Sequence, residues 1–352
     1  MSIHDERGLS MNNAVQWNTR LATFYEVWYL TVVHRATGTA FWLRSTLLKP
    51  KSPEPEQAGG LWFARFDPHN PARTFAAVRH FSAEDIAFEP GRFSVRVGPS
   101  SLREGAYTGD LSQNGHTASW DLQWTPNAET VGLIPELVRK ARINKAEVCA
   151  PNVHIALYGK IVVDGEKYVF DGDPAGQAHH WGRHYPVEWI WGHCNAFAGR
   201  PDAWLEALSV KQFEWRGQSL PVTLLQLKTE SLRFGVDSPL QLLSSRAEYE
   251  RGVWRFAASD VEHRVEAMFT APAERFVVQP YTSPHNQAYW CHNSCLADLS
   301  VRLSIRRGRE WETVDELVSH GAAAAEFCTR RQTTPDEFVF KGIAPGRWDL
   351  RS

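Results

Sequence analysis

The chain has 352 residues, 43% of them hydrophobic and 22% charged, an ordinary globular balance that excludes a largely disordered protein and is long enough for two domains. Its 38 basic and 40 acidic residues give a net charge of −2 with no long Lys/Arg run. That excludes nucleic acid as the main partner, because phosphate binding needs concentrated positive charge.

In chain order, the opening "MSIHDERGLSMNNAVQW" has no apolar segment of the kind a signal peptide carries. No stretch approaches the roughly 18 apolar residues of a membrane span. Five cysteines, Cys149, Cys194, Cys291, Cys295 and Cys328, read as free thiols in a cytoplasmic protein. "FYEVWYLTVVH" and "TAFWLRSTLLKP" are rich in aromatic and β-branched residues and flank "RATG", so they predict a hairpin. "KSPEPEQAGG" predicts a polar loop. "LWFARFDP", "RTFAAVRHF", "RFSVRVGP" and "HTASWDLQW" predict short turn-bounded strands. "NVHIALYGKIVVDGEKYVF" predicts a second hairpin turning at Asp164-Gly165. A further strand series runs from "PVTLLQLKT" through "SLRFGV", "VWRFAAS", "HRVEAMFTA" and "RFVVQPY" to "ADLSVRLSIRR". Helix is scarce: "IPELVRKAR" offers a turn or two, and "TVDELVSHGAAAAEF" reads as helix by propensity alone. The sum is an all-β chain of two antiparallel barrels, residues 1–200 and 201–352, divided near Gly199-Arg200-Pro201.

The stretch "HHWGRHYPVEWIWGHCNAF" concentrates histidine and tryptophan. Were residues 189–197 one strand, Trp189, Trp191, His193, Asn195 and Phe197 would share one face, and Ile190, Gly192, Cys194 and Ala196 the other. The large face suits a cavity wall; it equally suits a filled core in which His193 and Asn195 bond to neighbouring backbone. On the first strand, Glu26, Trp28, Leu30, Val32 and His34 share a face. A carboxyl among apolar groups is costly to ionise and can serve as an acid, or else pairs with a cation. His179, His180, His184 and His193, with Cys291, His292 and Cys295, have metal-binding chemistry but not the spacing of a standard zinc motif. Adjacent His179 and His180 would also point in opposite directions on a strand, so no metal is expected. Phosphate-loop, dinucleotide and G-x-S-x-G signatures are missing from the sequence. Tyr281, Tyr289 and Trp290 could close the pocket from the second half of the chain or be plain core, and core is the preferred reading.

"WGRHYPVEWIWGHCNAF" resembles the tocopherol cyclase family at Trp181, Gly182, Tyr185, Pro186, Trp189, Trp191, Asn195 and Phe197. "FYEVWYL", with Glu26, Trp28 and Tyr29, is similar to segments of tocopherol cyclases and of carotenoid 1,2-hydratase relatives. "CLADLSVRLSIRRGREWETVDELVSHGAAAAEF" is similar to the family's closing segment. The wider superfamily includes AttH-like proteins and lipocalin-like cyclases. The resemblance implies two lipocalin-like barrels, a pocket in or near the first barrel and the domain interface, and a strand rather than a helix at "GAAAAEF". One departure stands out. Where tocopherol cyclases carry Glu-Lys-Asn before the Trp-Gly, this chain has Ala178, His179 and His180, so the substrate does not carry over.

These readings converge on a cofactor-independent cyclase, isomerase or hydratase of an apolar unsaturated small molecule. Its expected proton-handling residues are Glu26, His180 and His193. Trp28, Tyr29, His179, Trp181, Trp189, Trp191, Asn195 and Phe197 are the expected substrate contacts, the tryptophan faces attracting a developing cation by about 0.5–2 kcal/mol each. The main alternative is a carrier with the same pocket and no chemistry; a metal enzyme ranks third.

Overall fold

The computed structural model describes residues 13–52, 58–127, 129–140, 146–215 and 218–341. The N-terminal segment through Asn12, half of the loop "KSPEPEQAGG" and the end of "IPELVRKAR" therefore lie outside the described residues. Two large antiparallel sheets account for most of the rest. The first runs from Phe75–Phe81 through Gly59–Phe66, Ala40–Lys49, Phe24–Val33, Glu166–Gly182, Ala146–Val163, His116–Trp124 and Ala106–Gln113 to three short strands. The second runs from Arg233–Gly235 through Gln218–Lys228, Trp204–Trp215, Glu188–Cys194, Glu310–Thr329, Ala288–Arg307, His263–Thr270, Val253–Ser259 and Arg246–Glu250 to Val339–Lys341. Both are lipocalin-like antiparallel barrels, and the chain crosses between them in residues 183–187.

Local chemistry explains the elements. Phe24–Val33 pairs with Ala40–Lys49 in register, as the aromatic and β-branched runs on either side of "RATG" predict. Asp164 and Gly165 both take positive φ, 51° and 83°, the backbone a two-residue hairpin turn requires. One propensity reading fails. "TVDELVSHGAAAAEF" is not helix but most of the strand Glu310–Thr329, the partner of Ala288–Arg307 in a long hairpin. Its alanines then serve packing: Ala323 and Ala325 face the second barrel's core, while Ala324 faces the first sheet. Among the described residues the helices are Glu136–Lys140, Pro239–Ser244 and short single turns, and none is long and apolar enough to cross a membrane.

Three apolar cores result. Each barrel encloses one, around Trp28, Phe41, Phe63 and Trp120 in the first and around Trp254, Phe256, Phe269 and Phe327 in the second. The third lies between the sheets and gathers Tyr25, Tyr29, Trp42, Trp62, Tyr185, Trp189, Trp191 and Tyr281. Asn195 ties the sheets together: its side-chain amide donates to the carbonyl oxygens of Ala175 at 2.6 Å and Val153 at 3.3 Å. Removing a buried side chain that satisfies two carbonyls leaves both unpaired. Asn195→Ala is expected to lower unfolding free energy by about 1–3 kcal/mol, measured by urea titration; an unchanged midpoint would contradict the bridging role.

Candidate functional site

A strand shows alternate residues to alternate sides, and the first hairpin applies that rule to the predicted site. Glu26 and Trp28 share a face with the residues opposite them, Trp181 and His179, inside the first barrel. Tyr25, Val27 and Tyr29 take the other face with His180, toward the second sheet. Tyr29 lies opposite Arg44, and Arg44 opposite Trp62, so these three form a row across three strands.

Against that row lies a cavity of about 330 Å³ between the sheets, within the range of small-molecule pockets. The first sheet contributes Tyr25, Tyr29, Trp42, Arg44 and His180; the second contributes Trp189, Trp191, Leu208, Leu224, Tyr281 and Glu326. Tyr185 lines it from the crossing segment. The wall is mostly apolar and aromatic, with a few polar groups converging on it.

Arg44 is the most unusual of these groups. The residue is 4% exposed, its Nε donates to Thr46 Oγ1 at 3.0 Å, and its guanidinium sits 4.1 Å from the ring of Tyr281, 4.8 Å from Trp62 and 5.9 Å from Trp42. Among the described residues no carboxylate comes within ion-pair distance of it. A guanidinium cannot shed its proton, so the charge stays buried, at a cost of several kcal/mol that ring contacts of about 0.5–2 kcal/mol each only partly offset.

That charge shapes its neighbours. Burial, then Arg44 and His179, push the His180 pKa well below 6.5, so its imidazole is neutral. Its ring packs edge-on against Tyr25 and Tyr29 and makes no hydrogen bond among the described residues. Burial raises the Glu326 pKa above 4.5, although Trp189 Nε1 donates to its Oε1 at 2.7 Å. Burial likewise raises Tyr185 to about 12 and puts Tyr25, Tyr29 and Tyr281 well above 10.0, so the cavity's phenols are neutral.

The expected single pocket therefore divides. Tyr29, His180, Trp189 and Trp191 meet at the cavity. Glu26, Trp28, His179 and Trp181 form a separate buried group: Glu26 Oε1 lies 2.9 Å from His179 Nε2 and accepts from the Gln16 amide, while the His179 ring stacks on Trp28 and lies against Trp181. His193 Nδ1 pairs with Glu206 Oε2 at 2.8 Å, and Trp191 Nε1 donates to the other oxygen of the same carboxylate. Phe197 departs from the predicted face because the strand ends at Cys194; it packs in the second barrel's core. His184 stacks on His285, and His292 stacks on Phe327 on the face opposite Cys291. Among the described residues no three His, Cys, Asp or Glu side chains gather to hold a metal ion. All five cysteines are buried and free.

Sequence reasoning missed Arg44, Tyr25 and Glu326 and read Tyr281 as plain core. Alternation within "TAFWLRSTLLKP" carried the signal for Arg44, which shares the buried face of Trp42.

Comparison with known proteins adds a family and a fold. The tocopherol cyclase-like family model matches residues 146–327, more than half of the chain. None of the curated proteins matches. A solved structure of an AttH-like protein from Nitrosomonas europaea superposes with a TM-score of 0.51 at 13% identity, over 87% of this chain and 92% of that one.

The electrostatics carry a pH signature. Because the folded protein holds His180 below 6.5, the unfolded chain takes up that proton first, and stability falls as pH drops below 6.5 toward the folded value. Thermal midpoints measured from pH 8 to pH 5 should fall further for the wild type than for His180→Gln; parallel curves would contradict a neutral buried His180.

Proposed function

The chain belongs to the tocopherol cyclase-like family, and for it we propose a cofactor-independent cyclase or isomerase of an apolar, unsaturated small molecule bound between the two sheets. One observation carries the proposal. An aromatic cavity of substrate size brings a neutral imidazole, a carboxyl of raised pKa and a buried guanidinium onto one wall system. Groups whose environments push their pKa values apart are suited to opposite proton transfers.

In this reading His180 accepts a proton from a carbon beside a conjugated system, and Glu326, whose acid form burial favours, delivers one to another carbon. The substrate keeps its atoms, so the product is an isomer, formed by double-bond migration or ring closure. Trp42, Trp189 and Trp191 exclude water and present ring faces to positive charge developing along the chain. Glu26 and His193 become positioning residues. Glu26 fixes His179, the neighbour of His180 on the strand, and Glu206 holds both His193 and the cavity-lining Trp191. Each sheet is proposed as one domain, with the division in the 183–187 crossing.

The test is to incubate the protein with linear conjugated polyenes bearing an enolisable carbonyl and to follow isobaric products by chromatography with mass detection. Glu326→Gln and His180→Gln should each slow turnover by about 10²–10⁴-fold while ligand affinity changes less than about threefold. Binding without turnover in the wild type would favour a carrier; full activity in both variants would remove the proton-transfer roles.

A further inference from the structure

We propose that the ligand of this cavity carries a two-oxygen anionic head, a carboxylate or the enolate of a 1,3-dicarbonyl, that pairs with Arg44. The inference rests on the proposed binding of an apolar molecule between the sheets and assigns that molecule's polar end.

The charge on Arg44, at the cavity wall, is unmatched by any carboxylate in ion-pair range among the described residues. Glu326 also lines the cavity, but its carboxyl takes the indole N–H of Trp189. The cost of burying a guanidinium is recovered when an anion arrives, because the pair then forms in a dry, low-dielectric space.

Geometry narrows the partner. Nε is committed to Thr46 Oγ1, the guanidinium also hydrogen-bonds the neutral Tyr185 hydroxyl, and ring faces of Tyr281, Trp62 and Trp42 surround the planar group. Its Nη edge can bind two oxygens side by side, the arrangement of carboxylate recognition, once the neutral hydroxyl yields to an anion. A single hydroxyl or ketone oxygen would use half of that edge and leave the charge standing. The surroundings are also rich in donors: Trp62 Nε1 and Tyr281 Oη have no hydrogen-bond partner among the described residues. An excess of donors around a buried cation calls for an acceptor that brings negative charge. His180, kept neutral by burial and by Arg44, lines the same cavity and adds no competing cation.

The experiment is isothermal titration of the full chain with three probes of comparable apolar tail: farnesoate, farnesol and a 2-acyl-1,3-cyclohexanedione with a dodecadienoyl tail. The wild type should bind at least one of the two acids at least about tenfold tighter than the alcohol, the pattern an ion pair predicts. Whichever acid wins separates carboxylate from enolate recognition. Arg44→Met should bind farnesol as the wild type does and lose the preference, and its ligand-free thermal midpoint should rise, since an apolar group replaces an unpaired buried charge. Arg44→Lys should keep part of the preference. Equal affinity for acids and alcohol in the wild type would overturn the head-group assignment and leave the apolar pocket intact. Retention of the preference in Arg44→Met would overturn Arg44 as its source. Failure of all three probes to bind would overturn both this inference and the functional reading beneath it. The wild-type comparison decides the matter even if the methionine variant does not fold.

Discussion

Each central strand of this protein faces two interiors at once, a barrel core on one side and the contact between the sheets on the other, and a two-residue period decides which side chain enters which. That constraint sets the chemistry. It sends Glu26, Trp28, His179 and Trp181 into the first barrel and Tyr25, Tyr29, Arg44 and His180 to the space between the sheets. Residues adjacent in sequence thus serve different environments, and His179 and His180 illustrate it most plainly. One is paired with a carboxylate and stacked between indoles; the other is neutral and open to a cavity.

The second constraint is electrostatic. A guanidinium buried with no carboxylate in ion-pair range among the described residues raises the free energy of the empty protein and adds to burial, the larger cause, in depressing the pKa of the imidazole near it. The same burial raises the carboxyl of Glu326. A single dry space therefore holds a cation, a neutral base and a carboxyl biased toward its acid form. Apolar packing alone would not require that combination, which is why the cavity and not the larger barrel cores attracts a functional reading.

Much of the fold is legible in the sequence because strands and turns are written locally. Aromatic and β-branched runs bounded by "RATG" and "DG" locate both major hairpins of the first sheet. "GAAAAEF" is the exception: alanine favours helix in isolation, yet tertiary pairing with Ala288–Arg307 makes it strand, as the family resemblance implied. The site was legible in part. Of the residues singled out in the sequence, Tyr29, His180, Trp189 and Trp191 line one cavity. Glu326 was hidden inside the segment read as helix, and Tyr281 comes from a hairpin whose approach to the first sheet is a long-range event that no local pattern encodes. Glu26 drew attention as a buried carboxyl, correctly as to burial; its partner is His179, which one sequence could not distinguish from His180 without strand register.

The account stands on where a ligand sits. The most direct measurement is a crystal structure of the protein with an apolar unsaturated acid such as farnesoate. Density for the tail between Trp189, Trp191 and Leu224, with the head at Arg44 and a chain carbon within reach of His180, is the predicted result. Density inside the first barrel beside Glu26 and His179, with the space between the sheets empty, would contradict it.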